Sequence, residues 1–161
     1  MPVRPADGPA VSADELPLAI GLSASVELTV PFHDADPVGV AWHGNYFRYF
    51  DLARCALLDK IGYGYRQMLD SGFYWPIVKA SVKYIRALPF DSRITVTARL
   101  LEWDYRLKIG YEILDGDGLR ATTGQTVQVA VTAATGEMHI GAPAALRDRL
   151  RSYLRDAGRA P

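Results

Sequence analysis

A chain of 161 residues, 49% of them hydrophobic, has the length and composition of one globular domain with a real core. Its 18 Lys and Arg balance its 18 Asp and Glu with no block of like charge, which argues against a nucleic-acid binder, and no apolar run is long enough to cross a bilayer. Cys55 is the single cysteine, which excludes an intrachain disulfide, and the chain opens without the pattern of a secretory signal, so a cytoplasmic location is the default expectation.

In chain order, residues 1–22 are proline-rich with little periodicity and read as a flexible N-terminal arm. From Ser23 the pattern alternates: Val26, Leu28, Val30 and Phe32 interleave with Glu27, Thr29 and Pro31, a strand with one buried face. A helix is expected from about Asn45 to Ile61. Its apolar residues leave only a narrow polar line through Arg48, Asp51, Cys55 and Asp59, so it is expected to be buried on several sides. Gly62 and Gly64 end it, and 65–71 suit a short helical piece.

Alternation then returns in 76–86, in Ile94 to Leu100, in Leu107 to Ile113, and across Val127, Val129 and Val131, with turn chemistry at 115–118 and 135–137. Ala142 to Leu154 reads as a terminal amphipathic helix. Strands in series with short links pair antiparallel, and such a sheet buries a long apolar helix by curling around it. The expected class is α+β, with a single domain over residues 23–155 and a tail at 156–161.

The stretch between the first strand and the helix, "HDADPVGVAWHGNY" (His33 to Tyr46), carries the candidate chemistry. The first turn of a helix has N–H groups without intrahelical partners and a partly positive end, which can polarise a carbonyl. A nearby carboxylate supplies a base or a nucleophile. The plainer reading stands beside it. Asp before Pro is ordinary turn chemistry, Asn45 is a common N-cap, and His43 suits a surface position.

The run "PFHDADPVGVAWHGNYFRYFDLAR" (Pro31 to Arg54) resembles the signature of 4-hydroxybenzoyl-coenzyme A thioesterase-like hotdog proteins. That signature has an aromatic residue, Asp-x-Asp, a Gly three residues on, an aromatic-His or aromatic-Tyr pair, Asn-Tyr, and an acidic-x-x-Arg on the helix. The resemblance implies a hotdog fold, a curved antiparallel sheet wrapped around one long central helix. It also implies hydrolysis of an acyl thioester on coenzyme A or an acyl carrier protein, with no cofactor and no metal. Asp36 is then the catalytic carboxylate, as nucleophile or as general base. His43 is the residue whose backbone N–H polarises the carbonyl, and Trp42, Gly44, Asn45 and Tyr46 contact substrate. Asp34 is expected to hold the loop by hydrogen bonds, and Asp51 and Arg54 to form an ion pair.

Arg106, Lys108, Lys83 and Arg86 are possible phosphate contacts, and the aromatic residues of 62–76 suit an acyl tunnel, core or a subunit interface. The resemblance implies a homodimer or homotetramer, with neither nucleic acid nor membrane as partner. Two rivals stay open: an acyl-thioester hydratase or dehydratase pairing His33 or His43 with Asp51, and a non-catalytic acyl-thioester binding protein.

Overall fold

A computed structural model describes residues 16–158 of the chain. The strands are β1 (Ser23–Thr29), β2 (Phe73–Tyr74), β3 (Ile77–Tyr84), β4 (Arg93–Glu102), β5 (Leu107–Leu114), β6 (Arg120–Gln128) and β7 (Val131–Thr132). The helices are α1 (Tyr46–Asp59), α2 (Tyr65–Asp70) and α3 (Ala144–Ala157), with short 3-10 turns at Phe32–Asp34 and His43–Asn45. Five strands form one antiparallel sheet in the order β1-β4-β5-β6-β3, and β2 pairs with β7. The sheet packs on α1, the pairing of sheet and helix that the hotdog resemblance implies.

Period-two patterning places the core. Ile94, Val96 and Ala98 of β4 and Leu107, Ile109, Tyr111 and Ile113 of β5 are buried, while the residues between them face the other side. The buried residues of α1, namely Tyr46, Tyr49, Phe50, Ala53, Arg54, Leu57 and Leu58, recur at helical spacing. Phe50 stacks on Tyr111 with ring centroids 4.5 Å apart. Gly124 of β6 makes room for it, because a Cβ there would lie 2.4 Å from Phe50 Cε2 and 2.9 Å from the Ser81 carbonyl oxygen.

Several expectations need correction. β3 does not pair with its sequence neighbour β4 but lies at the far edge against β6. The link 85–92 carries the chain across, with Asp91 at φ 65° and the Leu88 carbonyl accepting from Ala41 N–H. The last expected strand is two elements. β6 stops at Gln128 and Val131 leaves to pair with Tyr74, so the valine alternation runs across a break.

The open face of α1 is wider than the polar line, because Phe47 (37%) and Leu52 (50%) are also exposed. The sheet of one chain covers only one side of the helix. At the start of the chain, part of the expected arm is anchored to the domain. Ile20 and Leu22 are buried, Leu100 N–H donates to the Leu22 carbonyl, and Trp103 Nε1 donates to the Pro17 carbonyl. The rest of that arm, 1–15, lies outside the described residues. α3 includes residues 156 and 157 of the expected tail, whose last three residues also lie outside them. Leu146 and Leu150 seat α3 on the core, and its Arg149 lies over the Tyr63 ring.

Candidate active site

The candidate site is built from a hairpin-like loop between β1 and α1. Pro37 and Gly39 set its tip: Gly39 N–H donates to the Asp36 carbonyl at 2.9 Å, and Gly39 has φ 88°. Asp36 N–H donates to the Val40 carbonyl at 2.8 Å, and Ala35 bridges to Ala41. The Asp36 side chain closes the same turn, with Oδ1 accepting from Val38 N–H at 2.9 Å and Val40 N–H at 3.4 Å. Its other oxygen, Oδ2, has no hydrogen-bond partner among the described residues. One oxygen thus fixes the carboxylate within the turn.

Asp34 does a different job. It is buried, and its Oδ2 accepts the Tyr49 hydroxyl at 2.8 Å while Oδ1 accepts Arg48 Nη1 at 3.1 Å. Burial and this hydrogen bond push the Tyr49 phenol well up, so it stays a donor. The Asp34 carbonyl accepts from Trp42 N–H at 2.8 Å and Asn45 Nδ2 at 2.9 Å. Asp34 therefore stitches loop to helix, in keeping with a structural role. Asn45 takes the N-cap position of α1, but its side chain reaches back to Asp34 and makes no cap hydrogen bond.

The helix entrance runs from His43 without a break into α1. Asn45 N–H is used by the Trp42 carbonyl, but the N–H groups of His43 and Gly44 meet no acceptor among the described residues. Trp42 is half exposed and lies across Gly44, where a Cβ would come 2.2 Å from its ring. The exposed His43 ring packs against Trp42 at a tilt of 52°, with centroids 4.9 Å apart. Tyr46 is buried one residue past the 3-10 turn, and its phenol is pushed up by burial, then by Tyr84, then by the charge of Asp36.

Tyr84, at the end of β3, escaped sequence reasoning. Its hydroxyl donates to the His43 carbonyl at 2.6 Å, and its ring meets Tyr46 edge-on at 4.8 Å. A contact between positions so far apart, made to a backbone oxygen, leaves no spacing signal. His33 is exposed, with Nε2 3.6 Å from Asp34 Oδ1. Asp51 pairs with Arg54 at 3.0 Å, as expected, and Arg54 is buried and also bonds the Tyr65 hydroxyl.

The possible phosphate contacts divide. Arg106 and Lys108 gather with Lys79, which sequence reading omitted, around a hollow of about 70 Å³. Lys83 lines a neighbouring cavity of about 330 Å³, whereas Arg86 lies apart beside Asp115 and Asp117. Glu102 engages both basic residues of β5 and its approach, with Arg106 Nε 2.8 Å and Lys108 Nζ 3.6 Å from its carboxylate. The Arg106 hydrogen bond holds the Glu102 carboxyl below its ordinary range. In the aromatic segment, Tyr63 and Trp75 are core, joined by a 3.1 Å hydrogen bond. Tyr65, Met68, Leu69, Tyr74, Trp75 and Pro76 line an apolar cavity of about 220 Å³. Among the described residues no helix is long and apolar enough to cross a membrane.

A 73-residue stretch is 36% identical to a protein of Aquifex aeolicus, spanning 45% of this chain and 57% of that one. The 4-hydroxybenzoyl-CoA thioesterase of Pseudomonas sp. (strain CBS-3) is 26% identical over 114 residues, 69% of this chain and 78% of its own. Among solved structures, the DHNA-CoA thioesterase from Staphylococcus aureus superposes with a TM-score of 0.69 at 26% identity, over 73% of this chain and 80% of that one. The family model described as the thioesterase-like superfamily matches residues 30–154. The chain belongs to the thioesterase-like superfamily.

Proposed function

We propose that the protein hydrolyses an acyl-coenzyme A thioester to the free acid and the thiol, with Asp36 as the reacting carboxylate. The observation that carries this reading is the pairing of Asp36, which has one oxygen pinned and one free, with unpartnered first-turn amides at His43 and Gly44. The thioester carbonyl oxygen takes the amides, where developing negative charge meets N–H donors and the positive helix end. Asp36 then either attacks the carbonyl carbon, forming a mixed anhydride that water opens, or takes a proton from the water that attacks. In both routes the C–S bond breaks and coenzyme A leaves as a thiolate, a leaving group stable enough to need no strong acid. Trp42, Gly44, Asn45 and Tyr46 form the surrounding contact surface.

Coenzyme A is favoured as carrier by the names of the relatives and by the hollow that Lys79, Arg106 and Lys108 share. The hydratase reading fits less well. Asp51 lies eight residues past His43, a rise of about 12 Å along a helix, and its carboxylate is taken by Arg54. A second copy of the chain is proposed to pair along β3, an edge strand whose Ile77 (42%) and Val78 (59%) are exposed.

The test is thiol release from a panel of aryl- and alkyl-coenzyme A thioesters and their acyl-carrier-protein counterparts, with light scattering for the oligomer. Release that is faster from coenzyme A than from carrier protein supports the reading. Hydration of an enoyl thioester without thiol release, or tight binding without turnover, overturns it.

A further inference from the structure

We infer that Tyr84 is a positioning residue that holds the His43–Gly44 peptide from the edge strand and so sets how well the helix entrance stabilises the developing oxyanion. The inference rests on the hydrolytic reading of this site and adds a residue to it. The Tyr84 hydroxyl donates at 2.6 Å to the His43 carbonyl oxygen. That oxygen belongs to the same planar peptide as the Gly44 N–H, one of the unpartnered donors. The peptide is trans, so its carbonyl and N–H point in opposite directions. Pinning the oxygen toward β3 therefore fixes the N–H on the opposite side. A hydrogen bond accepted by the carbonyl also polarises the peptide and makes its N–H a better donor.

Two further observations separate this clamp from a casual surface contact. The Tyr84 ring meets Tyr46 edge-on at 4.8 Å, and Tyr46 senses the charge of Asp36. Tyr84 thus meets the helix entrance at two points, the His43 carbonyl and the Tyr46 ring. The same peptide is also confined at Gly44, where the Trp42 ring occupies the space of a Cβ. A tyrosine hydroxyl holds its oxygen and an indole crowds its Gly44 end. Tyr84 itself has no contact with the reacting carboxylate, so its effect passes through the groups it positions.

The test uses the full chain and Tyr84→Phe, which keeps the ring on Tyr46 and removes only the hydroxyl. With the best substrate of the acyl-coenzyme A panel, kcat is expected to fall about tenfold with KM unchanged. That is less than the 10²–10³ typical of losing an oxyanion donor outright, because the N–H remains but is no longer held. Without substrate, the Gly44 amide nitrogen should move upfield in ¹H–¹⁵N spectra of the variant, since its carbonyl partner loses a donor. An unchanged kcat, or a rise in KM alone, overturns the positioning role. A Gly44 resonance that does not move overturns the clamp whatever the activity. A wild-type protein that releases no thiol overturns the hydrolytic reading and any catalytic use of the clamp with it; the Gly44 shift tells that failure apart from a clamp that never formed.

Discussion

Replacing Asp34 by Asn separates the two aspartates of the loop by what each loses. The carboxylate of Asp34 accepts the buried Tyr49 phenol at 2.8 Å and Arg48 at 3.1 Å. An amide can keep the phenol bond, but its charge is gone and its NH2 faces a guanidinium, donor against donor. Hydrogen bonds to a buried charge are worth about 1.5–3 kcal/mol. The Arg48 side chain is 62% exposed, so its ion pair adds at most about 1 kcal/mol. Because the amide retains part of the phenol bond, the expected net loss is about 2 kcal/mol, or a urea midpoint lower by roughly 1 M. The assay is urea unfolding at fixed protein concentration, with Tyr49→Phe and the double variant completing a cycle. The double variant should lose less than the sum of the singles, because both remove the same bond. Thiol release by the folded fraction of Asp34→Asn should survive in large part. An unchanged midpoint together with abolished turnover would reverse the assignment and make Asp34 the reacting group.

The remaining expectations concern the core, the alkaline limit and the helix entrance. Gly124→Ala drives a Cβ to 2.4 Å from Phe50 Cε2 and should cost about 1–3 kcal/mol in urea unfolding, partly recovered by Phe50→Leu in the same chain. The Tyr111 phenol, pushed up to about 12 chiefly by burial, keeps its proton in the folded state after unfolded tyrosine has begun to ionise near pH 10. The stability it contributes is complete below pH 10 and is lost as pH rises toward 12, about 1 kcal/mol by pH 11. Tyr111→Phe should lessen the decline in urea midpoints taken from pH 9 to 11, leaving the part that the raised Tyr49 phenol contributes. Gly44→Ala forces the Trp42 ring to move, so thiol release should fall at least tenfold while far-ultraviolet circular dichroism stays unchanged.

Much of this architecture is written in residue periodicity, and what is not has physical reasons. Ile94, Val96 and Ala98, like Leu107 through Ile113, alternate because a one-residue slip would turn the buried face outward, so β4 and β5 are plain in the sequence. Alternation says nothing about which strand is the neighbour. That is why β3 was expected beside β4 and lies against β6. The resemblance carried by the run from Pro31 to Arg54 singled out Asp36 and His43. The division of labour between Asp34 and Asp36 needed burial and partners, which two identical side chains one residue apart do not reveal. Tyr84 was hidden for another reason: its acceptor is a carbonyl oxygen, a group every residue carries.

The central claim is that the Asp36 carboxylate performs the hydrolysis. Asp36→Asn keeps the Oδ1 acceptor that closes the turn with Val38 and Val40 and removes the negative charge. Thiol release from the best acyl-coenzyme A substrate, measured for both proteins after matching their urea midpoints, is the direct measurement. The account predicts a fall of at least a thousandfold in kcat with the fold intact. An Asp36→Asn protein that releases thiol as fast as wild type would contradict it.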